Sequence, residues 1–147
     1  MRFSVPLLAA ALAGCVPAEP PAPPPVGIAS PAALLPSGSV WRITRASGMD
    51  ALPAHPATLS RTAGEIGGST GCNEYFGQAR ITATALDFGG IGQTERACAD
   101  PRAMEFERRV VLALDRADGV RGTPGGALTL TAGGAEVARL APLPSAN

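Results

Sequence analysis

The chain has 147 residues, with twelve basic and twelve acidic side chains and a formal net charge of zero. That balance gives no broad electrostatic pull toward nucleic acid, so a nucleic-acid partner is not expected. Aromatic residues make up only 4%, so a core must be built from Val, Ile, Leu and Ala around Trp41, Phe76, Phe88 and Phe106.

The chain starts with Arg2, an apolar run from Val5 to Leu12, and then Leu12-Ala13-Gly14-Cys15. A basic start, a short apolar stretch and small residues before a cleavage point make an export signal. The run is far shorter than the ~20 residues that span a bilayer. A cysteine directly after the small residues resembles the lipobox of bacterial lipoproteins. The alternative is an ordinary secretory signal with a chance cysteine. The resemblance implies that residues 1–14 are removed and that Cys15 becomes a lipidated N-terminus, so that the membrane is a partner through the anchor. Val16 follows, not the Asp that usually marks inner-membrane retention, so an outer-membrane lipoprotein facing the periplasm is expected. One acyl chain binds a membrane only marginally, so such an anchor presumes multiple acylation.

Residues 16–39 read as a tether, with Pro17, Pro20, Pro21, Pro23, Pro24, Pro25, Pro31 and Pro36. Dense proline favours extended polyproline II and is excluded from a sheet interior. Some twenty such residues reach roughly 60 Å. Within this stretch, Ala32-Ala33-Leu34-Leu35 is weakly apolar and either packs on the domain or stays free of it.

The globular domain is expected over residues 40–147, and about 105 residues suffice for one core. Short strand-like runs cover residues 40–45, 57–62, 65–69, 77–82, 85–88, 120–121, 127–131 and 136–141. Alternation is clearest in Trp41-Arg42-Ile43 and Leu128-Thr129-Leu130. The pairs Gly89-Gly90, Gly125-Gly126 and Gly133-Gly134 read as hairpin turns. One helix interrupts the pattern. Asp100 suits an N-cap and Pro101 the first turn. Ala103, Phe106, Val110, Leu114 and Ala117 then form an apolar stripe. Glu105, Glu107, Arg108, Arg109, Asp115 and Arg116 are expected to face water, with Glu105 and Arg109 paired at i,i+4. The fold class is therefore mainly β with one α-helix: a small antiparallel, barrel-like sheet with one packed helix.

Of three cysteines, lipidation of Cys15 leaves Cys72 and Cys98. In an oxidising compartment that even remainder reads as a disulfide. It would close a loop of roughly 27 residues, stabilising by about 3–4 kcal/mol in the chain-entropy model. Two buried free thiols are the alternative.

The block Gly71-Cys72-Asn73-Glu74-Tyr75-Phe76-Gly77, the block Thr94-Glu95-Arg96-Ala97-Cys98, and Trp41 ahead of them resemble the META domain, also called the HslJ-like domain, from Val40 to about Pro142. The resemblance implies a small barrel-like sheet with a packed helix, in envelope proteins linked to stress or antibiotic tolerance. It marks Trp41, Gly71, Asn73, Gly77 and Thr94 as motif positions. Physically, Gly68 and Gly71 permit positive φ or close backbone approach. Asn73 suits bonding to nearby turn amides. The block thus reads as a structural corner tying sheet to helix.

Catalytic readings of these residues are weaker. Gly67-Gly68-Ser69-Thr70-Gly71 lacks the Lys and helix of a phosphate-binding P-loop. Cys72 as nucleophile would need His55, the only histidine, within reach and a third group to orient it. Cys72, Cys98 and His55 lack paired metal-ligand spacing. No catalytic residue, metal or cofactor is expected. The expected function is a non-catalytic structural or binding module in the envelope, with an envelope protein or small ligand as partner. The alternative is a periplasmic inhibitor of a lysozyme-like enzyme, and a hydrolase comes third.

Overall fold

A computed structural model describes residues 29–143. The export signal, Cys15 and the tether up to residue 28 lie outside the described residues. Within them, nine strands form one antiparallel sheet: β1 (Val40–Ala46), β2 (Met49–Asp50), β3 (Ala57–Arg61), β4 (Glu65–Ser69), β5 (Glu74–Ile81), β6 (Leu86–Gln93), β7 (Gly119–Gly122), β8 (Leu128–Ala132) and β9 (Ala135–Pro142). Their order is β6-β5-β4-β3-β1-β9-β8-β7, with β2 hairpinned onto β1. The sheet curls into a half-barrel whose edge strands β6 and β7 approach each other. Two helices accompany it, α1 (Pro31–Leu34) and α2 (Pro101–Arg116).

The inward side chains of the strands alternate as period-2 patterning requires. Ile43, Leu59, Ile66, Tyr75, Phe88, Leu130 and Leu140 are buried together. α2 supplies the other half of the core. Its stripe of Ala103, Phe106, Val110, Ala113 and Leu114 is buried, and it packs against β6, β9, β1 and β8. Asp100 caps it, accepting from the Arg102 amide at 2.8 Å, and Pro101 opens it. Glu105 pairs with Arg109 at 2.7 Å as the spacing predicts, and with Arg108 as well. The Arg108 guanidinium first, then that of Arg109, hold its carboxyl below the usual range.

The turn chemistry is mixed. Gly133-Gly134 joins β8 to β9 as a two-residue loop with both φ values positive, the type I′ geometry that matches strand twist. Gly125-Gly126 likewise falls between β7 and β8. Gly89-Gly90 does not form a turn. Both residues lie inside β6: Gly89 pairs with Gln78, and the register then shifts, so that Gly90 and Ile91 stand opposite Gly77 as a bulge. β5 begins at Glu74, earlier than its expected start at Gly77, because the motif block itself pairs with β4 through Ser69↔Glu74 and Gly67↔Phe76.

The end of the expected tether is part of the domain. Ser30 caps α1, accepting from the Ala33 amide at 3.3 Å. Leu35 is 0% exposed and belongs to the core. The Arg61 guanidinium donates to the Leu35 carbonyl, and the Ala32 amide donates to the Thr82 carbonyl at 3.2 Å. Residues 30–39 therefore close one end of the half-barrel, and packing begins ahead of Val40.

Candidate functional site

The loop between β4 and β5 is organised by Thr70, which is fully buried. Its Oγ1 accepts from the amides of Asn73 at 2.9 Å and Cys72 at 3.3 Å, closing a tight turn. Its single hydroxyl proton has two acceptors in range, Glu107 Oε2 at 2.9 Å and the Asn73 carbonyl at 3.0 Å. Gly71 sits in this turn at φ +92, and a Cβ there would lie 2.5 Å from the His55 carbonyl oxygen. Both the conformation and the contact exclude a side chain.

Asn73, 1% exposed, points into the domain. Its Oδ1 accepts from the Arg96 amide and from Thr94 Oγ1, both at 2.8 Å. Its Nδ2 donates to the Arg96 carbonyl at 3.0 Å and to Glu107 Oε2 at 2.8 Å. Thr94 Oγ1 in turn accepts from the Glu74 amide at 3.1 Å. The side chain expected to bond its own turn instead clamps the segment leading from β6 to α2. Thr70 performs the local role.

Glu107 is the main departure from the sequence reading, which placed it facing water. It is 7% exposed. Thr70 and Asn73 donate to Oε2, and Gln93 Nε2 lies 3.4 Å from Oε1. A buried carboxyl group requires such donors, because burial without hydrogen bonds costs several kcal/mol. The signal was present in the sequence: position 107 is four residues after Ala103 and three before Val110, on the stripe itself.

Cys72 and Cys98 form a disulfide, with Cα atoms 6.0 Å apart. It joins the turn to the residues just before the α2 cap. His55 lies beside this corner, its Nε2 3.8 Å from Asp100 Oδ2. Gly77 pairs opposite Ile66, and a Cβ there would lie 2.7 Å from Ile91 Cδ1. Trp41 stands apart from the cluster. It packs on the core at the other end of β1, and its Nε1 has no hydrogen-bond partner among the described residues. The structure thus brings together Gly71, Asn73, Thr94 and the two cysteines, adds Thr70, Gln93 and Glu107, and leaves Trp41 as a packing residue. Among the described residues no group of three or more His, Cys, Asp or Glu is placed to hold a metal, and no helix is long and apolar enough to cross a membrane.

A curled antiparallel half-barrel holding one helix, with a Gly-Cys-Asn turn pinned to the helix by a buried Asn–Glu contact, defines a small all-in-one β domain. The family model for the META domain matches residues 33–143, and the chain belongs to that family. A comparison with curated proteins gives no match. Among solved structures, the NMR structure of a protein from Burkholderia xenovorans is similar with a TM-score of 0.63 and 23% identity, covering 89% of this chain and 99% of that one. A second NMR structure has a TM-score of 0.56 and 21% identity, covering 71% and 88%. At those identities the likeness speaks for the fold.

Proposed function

We propose that this is a lipid-anchored envelope protein whose META domain acts without catalysis, as a structural or binding module in envelope stress or antibiotic tolerance. The observation that carries the non-catalytic reading is how the motif side chains are used. Asn73, Thr70, Thr94 and Glu107 are engaged with one another and with backbone. Cys72, the one nucleophile the sequence offered, is bonded to Cys98. A thiolate is the nucleophilic form of cysteine, and a disulfide sulfur is not one. The envelope location rests on the lipobox resemblance at Cys15 and on a disulfide that suits an oxidising compartment.

The test has two arms. Cys15→Ser should move the domain from the membrane fraction to the soluble periplasmic fraction, or leave an unprocessed precursor. A mutant that stays with membranes at mature mass removes the anchor. The purified wild-type domain should turn over no peptidoglycan, peptide or ester substrate. Turnover that is lost in His55→Ala, with the fold intact, would replace the module with an enzyme.

A further inference from the structure

Phe76, expected in the core, is instead the most exposed large apolar side chain among the described residues, at 63%, because it falls on the outer face of β5. Its neighbour Tyr75 points into the core. Its cross-strand partners on that face are Gly67 on β4 and Gly92 on β6. Neither carries a side chain to cover the ring. The ring lies over the Gly92 backbone: a Cβ there would sit 2.8 Å from Phe76 Cε2 and 2.9 Å from Cζ. The Cε2–Cζ edge of the ring thus rests against β6, and most of the ring is open to solvent. Glycine inside a strand marks a bulge or a close approach, and at Gly92 the close approach is that of the Phe76 ring itself.

The surroundings are acidic. Glu74 is two residues before Phe76 on the same strand face. Glu65 is opposite Gln78, one diagonal step from the ring. A concavity of about 500 Å³ beside the ring is lined by Glu65, Gln78 and Gly90. Glu65 and Glu74 make no ion pair among the described residues, whereas Asp50, Glu105 and Glu136 each pair with an arginine. An open aromatic face attracts a cation through its quadrupole, and carboxylates beside it add a counter-charge and hydrogen-bond acceptors for a guanidinium.

We propose that this outer face of β4–β6 binds an arginine-bearing basic polypeptide segment of a partner, with Phe76 as anchor and Glu65 and Glu74 as its charge complement. The inference rests on reading the domain as a binding module and names the chemistry of what it binds. Its failure is separable from that of the module reading, which is tested by fractionation and turnover.

The full chain, isotope-labelled, is titrated by NMR with a blocked oligo-arginine peptide and, separately, with a neutral N-acetylglucosamine oligomer. The peptide should shift signals of residues 65–78 and 89–93 saturably, more weakly as salt rises. Phe76→Ala should weaken it roughly two- to thirtyfold, the span of a cation–π contact from exposed to desolvated. Glu65→Gln with Glu74→Gln should flatten the salt dependence. Unchanged core signals from Tyr75 and Trp41 show that each variant is folded. The proposal falls if no shift saturates, if the shifts centre elsewhere, if Phe76→Ala binds as tightly as wild type, or if the neutral oligomer binds this face and the peptide does not.

Discussion

Asn73 Nδ2 and Glu107 Oε2 meet at 2.8 Å across 34 residues of sequence, and both residues are buried. This contact joins the turn before β5 to the middle of α2. The same amide holds Thr94 and Arg96, so one side chain fixes three segments.

Removing either partner should therefore cost more than one ordinary hydrogen bond. Asn73→Ala strips a donor from the buried Glu107 carboxyl and leaves the Arg96 amide without its acceptor. The expected loss is about 2–4 kcal/mol by denaturant titration, given ~1–3 kcal/mol per buried group left unsatisfied. Glu107→Ala should fall in the same range. Glu107→Gln should cost about 1 kcal/mol, since its amide oxygen can still accept from Thr70 and Asn73. An Asn73→Ala protein within a few tenths of a kcal/mol of wild type would show that the cluster contributes nothing net.

The disulfide should behave differently from its neighbour Asn73, because its effect falls mainly on the unfolded chain. Replacing both Cys72 and Cys98 by Ala leaves the Asn73 hydrogen bonds to Arg96 in place. Stability should drop by about 3–4 kcal/mol, or roughly 10–20 °C in Tm for a domain of this size. Amide signals of residues 94–96 should keep their native positions. A melting curve unchanged by reductant would overturn this.

The parts of this domain legible in the sequence are those set by neighbours along the chain. The α2 boundaries follow from Asp100, Pro101 and the stripe, and the disulfide follows from counting cysteines. What was hidden depends on how the sheet curls. Asn73 carries no sign that its partners lie 23 and 34 residues away. Glu107 sits on the apolar stripe, but its charge argues for an outward position, and only the Thr70 and Asn73 side chains make the buried one tolerable. Gly89-Gly90 has the composition of a turn, yet pairing with β5 continues on both sides: Gly89 stays opposite Gln78, and Gly90 enters a bulge with Ile91. Leu35 was masked by the surrounding prolines, although a single leucine at the right distance from β1 was enough to fill the barrel end.

Tyr75 makes a prediction at high pH. Burial first, and the nearby Glu74 carboxylate second, push its phenol far above the ordinary 10.0. Its hydroxyl donates to the Thr58 carbonyl at 3.0 Å. A raised folded-state pKa means that the folded protein keeps a proton the unfolded chain gives up. This contribution is complete below about pH 10 and is lost as pH rises beyond it. The chain has no lysine and a single tyrosine, and Cys72 and Cys98 are joined, so few other groups obscure the effect. Tyrosinate absorbance should rise together with unfolding, followed by the near-ultraviolet dichroism of Trp41. Tyr75→Phe should lose most of the alkaline instability and cost about 1 kcal/mol at neutral pH. Tyrosinate forming near pH 10 in a protein that keeps its native Trp41 signal would contradict the buried, bonded phenol.

Leu35 gives the clearest test of where the folded unit begins. Its side chain is fully enclosed, and its carbonyl accepts from the Arg61 guanidinium. Gly38 then donates to the Arg61 carbonyl at 2.7 Å, and the Arg61 amide donates to the Ser39 carbonyl at 2.9 Å. Leu35→Ala should cost about 2–5 kcal/mol, as for other enclosed leucines, because the strands around it cannot close over the space. Leu34 is only half-buried, so Leu34→Ala should cost clearly less. A chain that starts at Val40 loses the leucine and the backbone partners of Arg61 together. It should therefore be less stable than Leu35→Ala by denaturant titration, with faster hydrogen exchange in β3. Equal stability for the chain from Val40 and the full chain would mean that residues 30–39 only rest on the barrel and do not complete it.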